Sequence, residues 1–339
     1  MKKRILGIGK YLLFLGIGVF LLWLTLRKSN WEELKKDIVT ANFVFLIPAT
    51  LMLLLSHLSR AIRWKILIQP LGYKPGLLNT FFAVLIGYWA NLAVPRLGEV
   101  LKCTILGRYE NVPADKLVGT IVAERAFDVL SLLVLFTITI GTQYDLVGTY
   151  TAEIFSQFFR NKSGTMEMNR IYITVTIILA LLFLMYLLLK RFTHFSFIRQ
   201  AKDILRGVWQ GLTSVRYIRN KGWFFFHTVM IWGLYLLSTW MGFFAMQNMS
   251  HYGIKPVLSS LTFGALGMIV PSPGGIGSYQ YAVQQVLLLY GISPEKGLSL
   301  GMLLWFAQTG IVIVSGTISF FLLPLFNKSK NEKSRIHTA

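Results

Sequence analysis

Two apolar stretches of this chain, 77–110 and 256–291, are each broken near the middle by proline and glycine, and the two breaks echo one another. Val94-Pro95-Arg96-Leu97-Gly98-Glu99 and Val270-Pro271-Ser272-Pro273-Gly274-Gly275 both read V-P-x-x-G. Proline cannot continue an α-helix, because it lacks an N–H and its ring clashes with the preceding turn. Backbone groups freed in this way are tolerated at membrane depth only where protein or a wet cavity covers them. Paired Gly/Pro interruptions at corresponding places in two halves are the sequence mark of a transporter-like site near the bilayer midplane.

That the surroundings are a bilayer follows from the rest of the chain, which is 54% hydrophobic and 14% charged. Apolar runs at 5–26, 43–68, 117–142, 170–189, 222–246 and 297–323 each reach the ~20 residues that a hydrocarbon core about 30 Å thick requires. The first run follows Met1-Lys2-Lys3-Arg4 and ends in Trp23, Leu24 and Leu26 instead of a small-residue cleavage site. It therefore reads as an uncleaved span and not as a removed signal. The polar stretches between runs are too short to build a core of their own, so no soluble catalytic domain is expected.

Charge sets the topology. Segment 190–221 carries Lys190, Arg191, Arg199, Lys202, Arg206, Arg216, Arg219 and Lys221 against the single acid Asp203. It belongs on the cytoplasmic side, as do the basic N-terminus and the tail 328–339. Segment 143–169, with Asp145, Glu153 and Glu167 against Arg160 and Lys162, belongs outside. If 78–94 were a complete span, every later loop would change sides and the basic segment would become external. A hairpin that enters and leaves by the cytoplasmic face removes the conflict, and the same count puts the second hairpin on the external face. As a helix, 257–271 would reach only about 22 Å, which fits a partial crossing. The expected fold is thus an all-α polytopic membrane protein with about six full transmembrane helices and two re-entrant hairpins in an inverted repeat. Residues 1–327 form a single transmembrane domain, its halves at about 30–142 and 196–323. Two peripheral helices complete it: a basic amphipathic one at 196–219 on the inner leaflet, and a short interfacial one at 30–38 capped by Asn30.

Ionisable residues inside apolar segments are the candidates for function, since such groups are costly at membrane depth. Arg96 and Glu99 lie at the first break, with Asn91 before it and Lys102 one turn beyond Glu99. Glu124 and Asp128 are four apart and share a helix face, while Arg125 points elsewhere. They serve either to hold the hairpin against the third span through Arg96, Lys102 or Arg125, or to meet substrate or a proton directly. Arg60 and Arg63 close the second span, as positive-inside anchors or as ligands. Arg96 is the leading candidate, because a guanidinium beside a broken helix can present its planar fork to a phosphate next to free amides. At the second break Pro271, Pro273, Gly274, Gly275 and Gly277 supply shape, with Tyr279, Gln280 and Gln284 as polar lining.

Other chemistry lacks support. Five histidines show no metal-ligand spacing, and the lone Cys103 excludes an internal disulfide. No Gly-Lys-Ser/Thr follows the second break, and neither HExxH nor a Ser-His-Asp set is present. No metal, cofactor, enzyme activity or nucleic-acid partner is therefore expected, the net charge of +20 being read as topological.

The motifs Arg60-x-x-Arg63-Trp64, Asn91-x-x-x-Pro95-Arg96-x-Gly98-Glu99, Glu124-Arg125-x-x-Asp128 and Pro271-x-Pro273-Gly274-Gly275-x-Gly277 give the chain a resemblance to the lysylphosphatidylglycerol synthase transmembrane-region family, the flippase-like or UPF0104 proteins. The resemblance covers about residues 10–325. It implies a lipid translocase of the inner membrane of a prokaryote, moving an anionic or phosphate-bearing phospholipid, polyprenyl lipid or glycolipid between leaflets. The alternative is a non-transporting subunit that presents lipid to a separate transferase. Only the short basic tail follows the last span, so lipid aminoacylation by this chain is not expected. Two positions depart from the family pattern: Lys102 stands where arginine is expected, and Tyr279-Gln280 where many relatives carry a glutamate.

Overall fold

The computed structural model describes residues 15–27, 29–94, 97–144, 176, 215–270 and 272–338. The expected span 170–189, most of the basic segment 190–221 with its amphipathic helix, and the break residues Pro95, Arg96 and Pro271 lie outside the described residues, as do 1–14 and nearly all of 143–169. None of the candidate site residues lies within Ile140–Gln210.

All regular structure among the described residues is helical. In chain order the α-helices are α1 (Leu15–Leu26), α2 (Trp31–Val39), α3 (Leu46–Ile68), α4 (Leu77–Ala93), α5 (Leu97–Glu110), α6 (Ala114–Thr142), α7 (Lys221–Ala245), α8 (Ile254–Gly267), α9 (Ser278–Leu288) and α10 (Pro294–Thr338). Among the described residues, three segments are long and apolar enough to cross a membrane: Phe43–Leu71 around α3, Lys221–Ala245, and Pro294–Lys328 within α10. They coincide with three of the expected spans, 43–68, 222–246 and 297–323. The expected span 117–142 falls on α6, 29 residues long, which is not among these three; Glu124, Arg125 and Asp128 lie toward its middle. Phe225, Phe226, Val229, Phe306, Phe321 and Leu322 stay exposed on these helices. An apolar surface of that kind is stable in lipid, whereas in water it would drive association.

The short helix expected at 30–38 is α2. Asn30 caps it, its Oδ1 accepting from the Glu32 N–H at 3.0 Å, which satisfies one of the unpaired donors of the first turn. Of its expected apolar face, Leu34 is buried and Trp31 remains exposed.

Both interrupted stretches fold into helical hairpins. The 17 residues of α4 extend only about 25 Å, and α5 returns along them. At the open end Asn79 Nδ2 donates to Glu110 Oε1, so the chain enters and leaves the hairpin at the same place. Near the tip the backbones nearly touch: a Cβ on Gly98 would lie 1.8 Å from the Gly87 carbonyl oxygen, and Asn91 Oδ1 accepts from the Gly98 N–H at 2.7 Å. The second hairpin repeats the design with α8 and α9. A Cβ on Gly267 would lie 2.7 Å from Ser278 O, and at the open end Ser259 Oγ meets the Tyr290 hydroxyl at 2.8 Å. Its tip is a turn in which Gly274, Gly275 and Gly277 all adopt positive φ, a conformation open to glycine without penalty. Gln280 closes that turn by accepting from the Gly277 N–H, and the Trp305 indole N–H donates to Gly274 O at 2.7 Å. The other side of the tip is covered by α1, where a Cβ on Gly277 would lie 2.0 Å from Gly18 O.

Two apolar cores support the hairpins. One is built around Trp64, Leu106, Leu117, Phe127 and Phe224, the other around Phe243, Val257, Val283, Leu287 and Leu304. Helix α7 contributes to both and packs along α3. The amides of Asn79 and Asn327 pair reciprocally at 2.9 and 3.0 Å and fasten α4 to α10. Beyond Pro324, α10 continues as helix through the basic tail to Thr338.

The Gly87–Gly98 approach gives a direct test. Gly98→Ala is expected to lower stability by about 1–3 kcal/mol, the usual cost of overpacking. Gly119→Ala, at a helical position with nothing within 4 Å, should be neutral or stabilising by up to ~1 kcal/mol. Thermal unfolding in detergent, followed by intrinsic fluorescence, measures both.

Candidate functional site: a buried ion network between two cavities

Helix α6 brings Glu124 and Asp128 to one face, and that face meets α3. Arg60 Nη1 lies 3.0 Å from Glu124 Oε1 and 2.5 Å from Asp128 Oδ2. Arg63 Nη2 lies 2.6 Å from Asp128 Oδ1 and 3.9 Å from Glu124 Oε1. From α5, Lys102 Nζ reaches Glu124 Oε2 at 2.8 Å and sits 4.7 Å from the centre of the Trp64 ring. Trp64 is itself fully buried and donates to Thr120 Oγ1 at 2.8 Å. These charges have almost no contact with solvent: the Arg63 and Glu124 side chains are 0% exposed. Pairing is what permits charge at such depth, because isolated ions there would be prohibitively costly.

The four-residue spacing of Glu124 and Asp128 thus has a structural use, and their partners are only in part those expected. Lys102 pairs as anticipated. The main partners are Arg60 and Arg63, whose guanidinium groups are buried against the carboxylates. Lys102 is spent on Glu124, so it holds α5 against α6 and does not face either cavity.

Arg125 stands apart from this cluster. It points away from the shared face of Glu124 and Asp128, and its side chain is 40% exposed. Glu99, from the first turn of α5, is 34% exposed and lies 2.9 Å from Arg125 Nε. That approach is off the donor direction, so the Nε–H makes no hydrogen bond. Asp128 Oδ2 is 3.7 Å from Arg125 Nη1, beyond hydrogen-bond reach. Among the described residues of the network, four cations face three carboxylates; Arg125 has Glu99 beside it, so the uncompensated charge belongs to the deep cluster, where Arg60, Arg63 and Lys102 share Glu124 and Asp128.

Two cavities adjoin Arg125. The larger, about 420 Å³, lies among α3, α6, α7, α8 and α10, and has Arg60, Arg125, Asp128, Trp232 and Tyr235 in an otherwise mainly apolar wall. The buried Trp232 Nε1 and Arg60 Nε have no hydrogen-bond partner. The smaller, about 260 Å³, is lined by Asn91 and Glu99 from the first hairpin and by Ser272, Gly274 and Gly275 from the second. Tyr88, Arg125, Met268, Ile269 and Gln308 line both, so they form the wall between the two cavities. The hairpin tips are in direct contact here: a Cβ on Gly274 would lie 3.0 Å from Leu92 Cδ2.

The sequence candidates divide accordingly. Arg60, Arg63, Lys102, Glu124 and Asp128 form the buried network, while Glu99 and Arg125 form its accessible edge. Asn91 and Gly98 pin the first tip, and Pro273, Gly274, Gly275 and Gly277 shape the second. Pro95, Arg96 and Pro271 lie outside the described residues. Sequence reasoning missed Tyr88, Trp232, Tyr235 and Gln308. Only Gln308, an amide inside the last apolar run, carried a usable signal; an aromatic in a membrane helix looks like any other core residue.

No three His, Cys, Asp or Glu side chains among the described residues are grouped to hold a metal ion. The two parts of the network should respond differently to neutralisation. Glu124→Gln leaves Arg60 and Lys102 short of a buried counter-charge and should cost about 3–5 kcal/mol. Glu99→Gln, at the half-exposed pair, should cost no more than about 1 kcal/mol. Thermal unfolding in detergent distinguishes the two.

The transmembrane-region model of lysylphosphatidylglycerol synthase matches residues 11–316. A UPF0104 membrane protein of Methanocaldococcus jannaschii is 22% identical over 320 residues, 89% of each chain. Another, from Pyrococcus horikoshii, is 24% identical over 311 residues, covering 87% of this chain and 91% of its own. No solved structure matches the chain. With the family match spanning both hairpins and the helices between them, the chain belongs to the lysylphosphatidylglycerol synthase transmembrane-region family of integral membrane proteins.

Proposed function

We propose that this protein moves a phosphate-bearing, anionic lipid between the leaflets of the cytoplasmic membrane. One observation carries the reading: the accessible cation of the network, Arg125, stands in the wall between two cavities where the tips of both broken hairpins meet. A guanidinium matches a phosphate bidentately, and the low-dielectric surroundings strengthen that contact. The smaller, hairpin-lined cavity suits the headgroup, while the exposed Val129 and Ile269 at the edge of the larger one leave a side toward lipid for the acyl chains.

In this reading the hairpins are re-entrant and enter from opposite faces, within about six full spans and with both termini cytoplasmic. The first break supplies charge through Glu99 and, by sequence, Arg96; the second supplies shape through its glycines. The deep network of Arg60, Arg63, Lys102, Glu124 and Asp128 is the scaffold that fixes Arg125. The chain acts as a carrier and not as an enzyme, and membrane lipid is its partner.

The test is leaflet-resolved transport of labelled phosphatidylglycerol in proteoliposomes. Arg125→Gln and Arg96→Ala should each slow transport by about tenfold or more, the worth of a lost charge-assisted hydrogen bond. Equal rates in wild type and both variants would overturn the assignment. Binding without transport in the wild type would instead make the chain a subunit that presents lipid to a separate transferase.

A further inference from the structure

We infer that Glu99 is a resident stand-in for the lipid phosphate, occupying the anion seat of Arg125 and exchanging with the headgroup at each turnover. The inference rests on the reading above and adds to it a means of release.

Three observations lead to it. The pair is the accessible part of a network otherwise closed to solvent: Arg125 and Glu99 are 40% and 34% exposed, against 0–14% for the five deeper side chains. Next, Glu99 holds Arg125 by charge alone. Its oxygen lies 2.9 Å from Nε yet takes no hydrogen bond from it, and among the described residues no side-chain hydrogen bond engages the Arg125 guanidinium. The fork is therefore neutralised without being satisfied, and a phosphate offering parallel acceptors has an advantage over the resident carboxylate. Finally, Arg125 lines both cavities while Glu99 lines only the smaller one. A headgroup displacing Glu99 thus takes its place in the wall between the cavities, and Glu99 retreats on its own side.

Arg60 shows the contrast. Its Nη1 bonds both Glu124 and Asp128 at 3.0 Å or less, and both of those acids have further cationic partners. An incoming anion would have to break several buried charge contacts to reach it, whereas at Arg125 it replaces one half-exposed contact that lacks direction. The weak resident also provides for release. A site that bound phosphate with no competitor would hold it; a tethered carboxylate that reclaims the cation lowers the cost of letting the lipid go.

The exchange predicts opposite effects on binding and on transport. Wild type, Glu99→Gln and Arg125→Gln in lipid nanodiscs would be titrated with phosphatidylglycerol, with inorganic phosphate, and with diacylglycerol as the headgroup-free control. Glu99→Gln should bind phosphatidylglycerol about fivefold tighter, the worth of a partly exposed ion pair, yet move it more slowly in proteoliposomes. Arg125→Gln should lose binding; if it does not fold, Arg125→Lys, which keeps the charge without the fork, should weaken it. Tightening on the lipid arm alone marks a lipid headgroup as the competing anion, and tightening on both arms marks phosphate itself. Equal or weaker binding by Glu99→Gln, with wild type still binding, overturns the exchange and leaves the lipid reading intact. Absence of phosphatidylglycerol binding by the wild type removes the lipid reading and the exchange with it.

Discussion

Glu124 and Asp128 are the two groups on which the arrangement depends. Between them they pair with Arg60, Arg63 and Lys102, and so tie α3, α5 and α6 together where the side chains have almost no contact with solvent. No apolar contact could set the register of three helices so tightly, because hydrocarbon packing lacks direction while these contacts are short and geometrically particular. Once α5 is fixed against α6, the tip of the first hairpin has a fixed place, and Glu99 is carried to the edge where it meets Arg125. The deep charges thus work as scaffolding, and the chemistry that faces outward belongs to the pair at the margin.

The two hairpins share a construction but not a chemistry. Each uses a glycine at the close approach of its helices and a polar side chain to hold its tip: Asn91 on Gly98 in the first, Gln280 on Gly277 in the second. Only the first carries ionised groups to the meeting point. The second contributes backbone curvature, with three glycines at positive φ and a carbonyl fixed by Trp305. Tyr279 is buried against Gly264 and lines the larger cavity, so at this point the second hairpin presents an aromatic wall.

Much of this was legible in the residues. Apolar run length located α3, α7 and α10, because burying a backbone in lipid demands long uninterrupted helices. The Pro-Gly breaks located both hairpins, and the spacing of Glu124 and Asp128 put them on one face. What periodicity could not supply was the partner of each charge. Arg60 and Arg63 end an apolar run, which is also where interfacial anchors stand, and only the packing of α3 on α6 turns them inward. Lys102 was readable as a cation near the break but not as one already committed to Glu124. Tyr88, Trp232 and Tyr235 were invisible because an aromatic in a membrane helix is the commonest kind of apolar residue, and its place in a wall depends on which helices surround it.

The contact between Gly18 and Gly277 has a bearing on how the molecule is assembled. Helix α1 is synthesised early, yet the surface it covers lies on a turn some 260 residues further along the chain. During translation that helix waits in the bilayer with its glycine face unmatched, while the later hairpin carries loosened backbone that hydrocarbon cannot satisfy. Completion of the second hairpin is thereby coupled to the presence of the first helix, which the chain supplies long before the turn it covers.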